Sequence, residues 1–157
     1  MCSSDLNGND VLSGLGGHDL LNGGNGADML HGGTGNDILI GENGNDLLFG
    51  GDGRDVLAGG NGNDLLDGGA GADIFQFGKG GGQDTVSDFE VGVDRLALEA
   101  GIGVAGSQTS DVNGDGVLDT TVAFTNGGGS AVLLGVSDFS LVGFAPAQDL
   151  SNPTLLF

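Results

Sequence analysis

Large apolar residues recur along the first half of the chain every nine positions: Leu12, Leu21, Leu30, Leu39, Leu48, Leu57, Leu66 and Phe75. Each follows a second apolar residue, from Val11 to Ile74. Between these short runs lie stretches dominated by Gly, Asn and Asp. A spacing of nine is neither the 3.6 of a helix nor the 2 of a strand; held constant over many blocks, it marks a repeat architecture. Counted from Asp5, the eighth place of each block is large and apolar, and the fourth is always Gly, from Gly8 to Gly71. The sixth is always Asp: Asp10, Asp19, Asp28, Asp37, Asp46, Asp55, Asp64 and Asp73.

Three residues such as Ile38, Leu39 and Ile40 suit a very short strand, its middle side chain pointing in and its neighbours out. The six residues G-G-x-G-x-D are expected to form a tight turn with left-handed residues and inward carbonyls, because Gly weakens both strand and helix. Turn and strand make half a coil; two halves close one coil, and coils stack at about 4.8 Å. The expected fold class is all-β, a parallel β-roll over residues 7–76 with a small β-rich cap over residues 77–157. The seventh-place residues, Val11 to Ile74, are expected to face outward, as strand formers or as a docking stripe for another domain.

Stacking sets Asp over Asp: Asp10, Asp28, Asp46 and Asp64 on one side, Asp19, Asp37, Asp55 and Asp73 on the other. Stacked carboxylates beside converging carbonyls repel one another unless a cation lies between them. Six to eight hard oxygen ligands are what Ca²⁺ takes, whereas Mg²⁺ demands tighter octahedral geometry. The alternative is that each Asp merely caps a turn, which gives no reason for eight in one register. Charge agrees with a cation partner. The 157 residues carry 22 acids against 3 bases, a net -19, and 36 Gly. That field repels nucleic acid and anionic membrane, and it opposes compaction while unneutralised.

The blocks from Asp5 to Gln76 resemble the G-G-x-G-x-D-x-U-x nonapeptide of the RTX (repeats-in-toxin, haemolysin-type) calcium-binding proteins. The resemblance implies a parallel β-roll with each ion between turns eighteen residues apart. The earlier turn gives its second, fourth and sixth places, and the later turn its first, third and sixth. Carried onto this chain, Leu15, Gly17 and Asp19 face Gly32, Thr34 and Asp37. Gly24, Gly26 and Asp28 face Gly41, Asn43 and Asp46. Gly33, Gly35 and Asp37 face Gly50, Asp52 and Asp55; Glu42, Gly44 and Asp46 face Gly59, Asn61 and Asp64. Gly51, Gly53 and Asp55 face Gly68, Ala70 and Asp73. A first site would join Leu6, Gly8 and Asp10 to Gly23, Asn25 and Asp28. Leu15 and Glu42 depart from the Gly usual at the second place. About six or more Ca²⁺ ions would then offset most of the negative charge.

The resemblance also implies a secreted, extracellular bacterial protein, exported by a type I secretion apparatus and folding on extracellular Ca²⁺. It would be a non-catalytic module carried by an upstream domain, such as a metalloprotease or lipase, or an adhesive, polysaccharide-binding roll. The absence of Trp and Tyr leaves such a roll no stacking platform. The apolar end "LLF" resembles the tail of an uncleaved secretion signal. "CSSDL", from Cys2 to Leu6, is the translation of a common sequencing adapter, so residues 1–6 are expected to be an assembly scar.

After Gln76 the period stops. Phe77 to Glu99 reads as a Gly loop and short strands, and it resembles the segment that closes the roll in secreted RTX proteases. Phe75, Phe77 and Phe89 are candidate cap core. Asp84 and Asp88 either complete a last ion site or are hairpin residues. "DVNGDGVLD" offers Asp111, Asn113, Asp115 and Asp119 as a calcium loop, or a hairpin turn; the Glu expected at the twelfth place of an EF-hand loop is Val122. Thr120–Phe124 and Ser130–Val136 read as a hairpin. His18 and His31 occupy different places of their blocks and are expected at the surface. No H-E-x-x-H, G-x-S-x-G or Cys-His arrangement occurs, so no catalytic centre is read here. The apolar runs are too short to span a bilayer.

Overall fold

The computed structural model describes residues 2–4 and 7–146. The C-terminal tail, and Met1, Asp5 and Leu6 of the expected scar, lie outside the described residues. The described chain is all-β, with one 3₁₀ turn at Phe139–Leu141. Two sheets are built by strict alternation. One takes β1 (Cys2–Ser4), β3 (Leu20–Asn25), β5 (Ile38–Asn43), β7 (Val56–Asn61) and β9 (Ile74–Phe77). The other takes β2 (Val11–Gly16), β4 (Met29–Thr34), β6 (Leu47–Gly53) and β8 (Leu65–Gly71). Every pair is parallel and shifted by eighteen residues, as in Leu21↔Leu39 and Leu39↔Leu57. This is the expected parallel β-roll, and Cys2–Ser4 lies in the same register, with Ser3 opposite Leu21.

The strands are longer than the three residues expected. β2 to β8 run for six or seven residues, through the third place of the next block and, in β6 and β8, through the fourth. The tight turn is therefore confined to two or three residues ending at the sixth-place Asp. The ladder tolerates Gly here because it skips the first place: pairing passes from Ser13↔His31 directly to Leu15↔Gly33.

The eighth-place residues fill the space between the sheets. Leu21, Leu30, Leu39, Leu48, Leu57, Leu66 and Phe75 are all fully buried, each stabilising the roll by roughly 1.5–3 kcal/mol. The seventh-place residues, expected to face outward as strand formers or as a docking stripe, are mostly half-buried. Ile38 and Val56 are buried and Val11 alone is largely exposed. Each is flanked by its counterparts on adjacent strands, Leu20↔Ile38↔Val56↔Ile74, and neighbours less than 5 Å away cover one another.

The parallel ladder runs past residue 76 without a break. β10 (Gln83–Val86) pairs with β8, and β11 (Arg95–Leu98) with β9. β14 (Ser130–Leu133) and β15 (Gly143–Pro146) add a further parallel strand to each sheet. β12 (Val104–Ser110) and β13 (Asp119–Phe124) complete the second sheet as antiparallel strands beside β14. Phe77, Phe89, Val86, Leu96, Val122, Phe124 and Leu133 extend the core across this end. Phe75 packs on Phe89 at 5.9 Å and Phe77 on Phe124 at 5.0 Å. Among the described residues no helix is long and apolar enough to cross a membrane.

Candidate metal centre

The turns bring the sixth-place carboxylates into two files, and one hydrogen bond repeats along both. Oδ1 of each Asp accepts from the backbone N–H of the Asp one coil earlier: Asp37 from Asp19 and Asp28 from Asp10 at 2.8 Å, Asp55 from Asp37 at 2.7 Å, Asp64 from Asp46 at 2.9 Å. Asp46 and Asp73 take the same bond from Asp28 and Asp55 at 2.8 Å. The other oxygen, Oδ2, is different. In Asp28, Asp37, Asp46, Asp55, Asp64 and Asp73 it is buried and has no hydrogen-bond partner.

Where Oδ2 points follows from the glycines. A methyl group added to Gly32 would lie 2.5 Å from Asp37 Oδ2 and 2.5 Å from Gly50 O, so oxygens of two successive turns converge on one point above Gly32. Gly50 repeats this with Asp55 Oδ2 at 2.5 Å and Gly68 O at 2.6 Å. The first-place Gly is thus required for space: these residues keep a negative φ, unlike the left-handed fourth-place residues such as Gly35. A side chain on Gly51 or Gly53 would overlap the carbonyl oxygens of Gly33 and Gly35, which point along the stack towards the later turn. Asp52 O faces the opposite way and accepts from Gly35 N–H at 2.8 Å.

Carbonyls of the second and fourth places therefore face those of the first and third places one coil on, with an unpartnered carboxylate oxygen between them. The carbonyls of Leu15, Gly17, Gly26, Glu42 and Gly44 likewise point towards the later turn, and those of Gly59, Thr34, Asn43 and Asn61 towards the earlier one. Leu15 and Glu42 adopt the left-handed backbone of the Gly they replace, with φ of 71° and 73°. An orphaned buried anion, a glycine cradle and a set of hard oxygens fit a divalent cation such as Ca²⁺. Among the described residues no three His, Cys, Asp or Glu side chains cluster as metal ligands; most of the oxygens here are peptide carbonyls.

Burial is the largest effect on these carboxyls. It pushes Asp55 up to about 7 and Asp46 and Asp73 to about 6, against the backbone N–H bonds that lower them and with neighbouring carboxylates adding to the rise. Asp37 and Asp64 are raised for the same first reason.

Both files extend beyond the nonapeptides. Asp84 Oδ1 accepts from Asp64 N–H at 3.1 Å, and burial pushes its carboxyl up to about 7. Asp94 Oδ1 accepts from Asp73 N–H at 2.9 Å, but its Oδ2, unlike those of the nonapeptides, is taken by Glu90 N–H at 2.7 Å. The spacing is now twenty or twenty-one, because the Gly loop and the Phe89 loop lengthen the turns. Asp94 is a residue the period of nine does not reach. Its signal lies in "DRL", an Asp two residues before a buried Leu96, the same D-x-apolar signature as Asp64 and Leu66. Asp88 instead uses both oxygens on the N–H groups of Gly68 and Gly69.

The loop at residues 111–118 joins the antiparallel β12 and β13. Asp111 accepts from Gly114 and Gly116, Asn113 from Asp115, and Asp115 from Val117. Asp119 accepts from Val112 and Gly135, whose N–H groups hold it below the usual carboxylate range. These acceptors are spent on a hairpin turn. His31 stacks on Phe49 at 4.8 Å on the outer face, and His18 is exposed.

A stack of glycine cradles with one inward carboxylate per turn defines the class: a cation-binding parallel β-roll. The chain matches the model of the RTX calcium-binding nonapeptide repeat in four copies, over residues 5–39, 22–57, 40–75 and 49–86. That is more than half its length, and the chain belongs to this family. No curated protein sequence matches it. Among solved structures it is similar to the AlgE6R3 subunit of the Azotobacter vinelandii mannuronan C5-epimerase, at 28% identity and a TM-score of 0.55 over 87% of this chain and 80% of that one. It also aligns with the extracellular lipase LipA of Serratia marcescens, at 19% identity and a TM-score of 0.41, over 88% of this chain and 38% of the lipase.

Proposed function

We propose that this calcium-binding repeat module folds on Ca²⁺ and belongs to a secreted bacterial protein exported by a type I secretion apparatus. The carrying observation is the row of buried Oδ2 atoms, from Asp28 to Asp73, that have no partner inside the protein. Bound Ca²⁺ supplies two positive charges between each pair of turns. The pockets we assign are the turn pairs of the two files linked by an Asp-to-Asp bond, ending with Asp55/Asp73 and Asp64/Asp84. In each, the Asp residues hold charge and register, and the glycine carbonyls complete the shell.

Where Ca²⁺ is scarce, the net charge of -19 keeps the chain open and able to pass a secretion channel. At the roughly millimolar Ca²⁺ outside a cell, weak sites of about 10⁻⁴–10⁻³ M fill, and their binding energy becomes folding energy. The residues themselves offer no catalytic constellation, so the activity of the whole protein resides in a partner domain. A metalloprotease or lipase motif encoded upstream of the repeats would identify that domain as a hydrolase.

A second reading is favoured by the likeness to the epimerase subunit. The roll would then be the accessory module of an enzyme acting on a polysaccharide, with mannuronan as the first ligand to try in the presence of Ca²⁺.

The deciding experiment is far-UV circular dichroism of residues 7–157 during a Ca²⁺ titration with a Mg²⁺ control. The expected result is a cooperative coil-to-β transition with Ca²⁺ only. A chain already β-structured in chelator would overturn the folding switch and leave a constitutive scaffold.

A further inference from the structure

We propose that the fifth-place side chain of each turn is a positioning residue for the neighbouring carboxylate, and that its presence or absence sorts the cation pockets into two kinds. The inference rests on the calcium reading above. Asn9 Oδ1 accepts from the Ala27 N–H at 2.9 Å, and His18 Nδ1 from the Asn36 N–H at 2.8 Å. Asn36 Oδ1 accepts from Arg54 N–H at 3.0 Å, Asn45 Oδ1 from Asn63 N–H at 2.9 Å, and Asn63 Oδ1 from Gln83 N–H at 2.7 Å. Each bond climbs from the earlier turn to the later one.

In the same turn pairs the Asp bond runs the other way. Asp55 of the later turn accepts from Asp37 of the earlier, and Asp64 from Asp46. Two opposed side-chain-to-backbone bonds at adjacent residues therefore close the pair, the reciprocal logic of a helix capping box set between two turns. The upward bond pins the peptide N–H immediately before the later Asp, and the downward bond pins its Oδ1. With both held, Oδ2 is left directed at the glycine cradle. The fourth-place Gly makes room for the device: a side chain on Gly62 would meet Asn45 Oδ1 at 3.0 Å, and one on Gly53 would meet Asn36 Oδ1 at 3.3 Å.

The device is not present everywhere. Ala27, Arg54 and Ala72 occupy fifth places. A methyl group accepts no hydrogen bond, and a guanidinium only donates. The pockets at Asp28/Asp46 and Asp55/Asp73 therefore keep the Asp bond and lack the upward one; the Asn43–Asn25 amide bond that also joins the first pair has its counterpart, Asn61–Asn43, in the Asp46/Asp64 pair, which carries both. The other assigned pairs carry both bonds. Cations leave the singly closed pockets first, because one net hydrogen bond fewer holds the two turns together.

The test is stopped-flow release of Ca²⁺ from the loaded full chain into a fluorescent chelator. Wild type should release in two phases, the fast one smaller and, for the factor an ordinary net hydrogen bond is worth, about fivefold quicker. Asn45→Ala should move one pocket's ion from the slow phase to the fast, and Asn45→Asp, which keeps the acceptor, should leave it in the slow phase. Ala27→Asn should move one ion from fast to slow and protect the Asn45 amide from hydrogen exchange. Ala27 is exposed, so this variant carries the test if Asn45→Ala does not fold. A purely structural contribution would shift the overall folding midpoint without repartitioning the phases. A single release phase, or phases unmoved by both variants, would overturn the inference while leaving the calcium reading intact. Absence of any Ca²⁺ uptake would overturn both.

Discussion

At the scale of the residue, each invariant place answers to a different force. The fourth-place Gly is fixed by backbone shape and stacking together: Gly35 has φ of 126°, and a side chain there would overlap Gly17 O. Gly35→Ala should destabilise the calcium-loaded roll by about 3 kcal/mol, since it combines a left-handed backbone with a backbone clash; urea denaturation in saturating Ca²⁺ measures it. The sixth-place Asp carries the opposing demands of burial and charge. Asp55→Asn keeps an acceptor for the Asp37 N–H but removes a carboxylate that burial disfavours. The variant should therefore fold more readily than wild type in chelator at neutral pH, while binding fewer Ca²⁺ ions by isothermal titration calorimetry. A gain in both properties would mean that the charge is not the link between them.

At the scale of the element, the period of nine made the eighth-place core and the eighteen-residue register legible, because both depend only on which residues recur. The extent of the strands was not legible. Gly argues against strand by propensity, yet β5 contains Gly41 and β6 contains Gly50 and Gly51, since flanking coils on both sides supply the ladder that propensity would not. The two closing coils were hidden for the same reason. β14 lies beside β10, with Ala131 opposite Asp84, although nearly fifty residues separate them in the chain. The acidic hairpin loop carried two readings in the sequence, a calcium loop or a hairpin turn; in the structure its acceptors hold the N–H groups of Gly114, Gly116 and Val117. Asp111→Asn with Asp115→Asn should therefore leave the Ca²⁺ stoichiometry unchanged in a calorimetric titration, whereas loss of an ion would restore the loop as a site.

At the scale of the whole molecule, the stacked carboxylates make the metal-free fold sensitive to pH. Their unfolded value is 3.8; folding raises Asp46 and Asp73 to about 6 and Asp55 and Asp84 to about 7. The folded chain thus binds more protons than the unfolded chain between these limits. Their contribution is fully present below pH 3.8 and is lost as pH rises towards 7. In chelator, where the chain is open at about pH 7.5, acidification to about pH 5 should shift it towards β structure by far-UV circular dichroism, and Ca²⁺ binding across that window should release protons. A β signal that does not grow on acidification would show that the carboxylates are not buried together when the metal-free chain folds.

The sequence by itself determined the roll, its register, its core and the cation to which its charge is suited, because a strict repeat turns each local preference into a stack of identical ones. Only the tertiary structure decided what each oxygen does. Oδ1 is taken by a peptide eighteen residues away and Oδ2 is left for a ligand; the fifth-place side chains bind upward; and Asp94 joins a file whose period it does not share. These are relations between turns that become neighbours only when the coils stack. Residue spacing announces that they meet, but the direction of each bond follows from the three-dimensional path of the backbone between them.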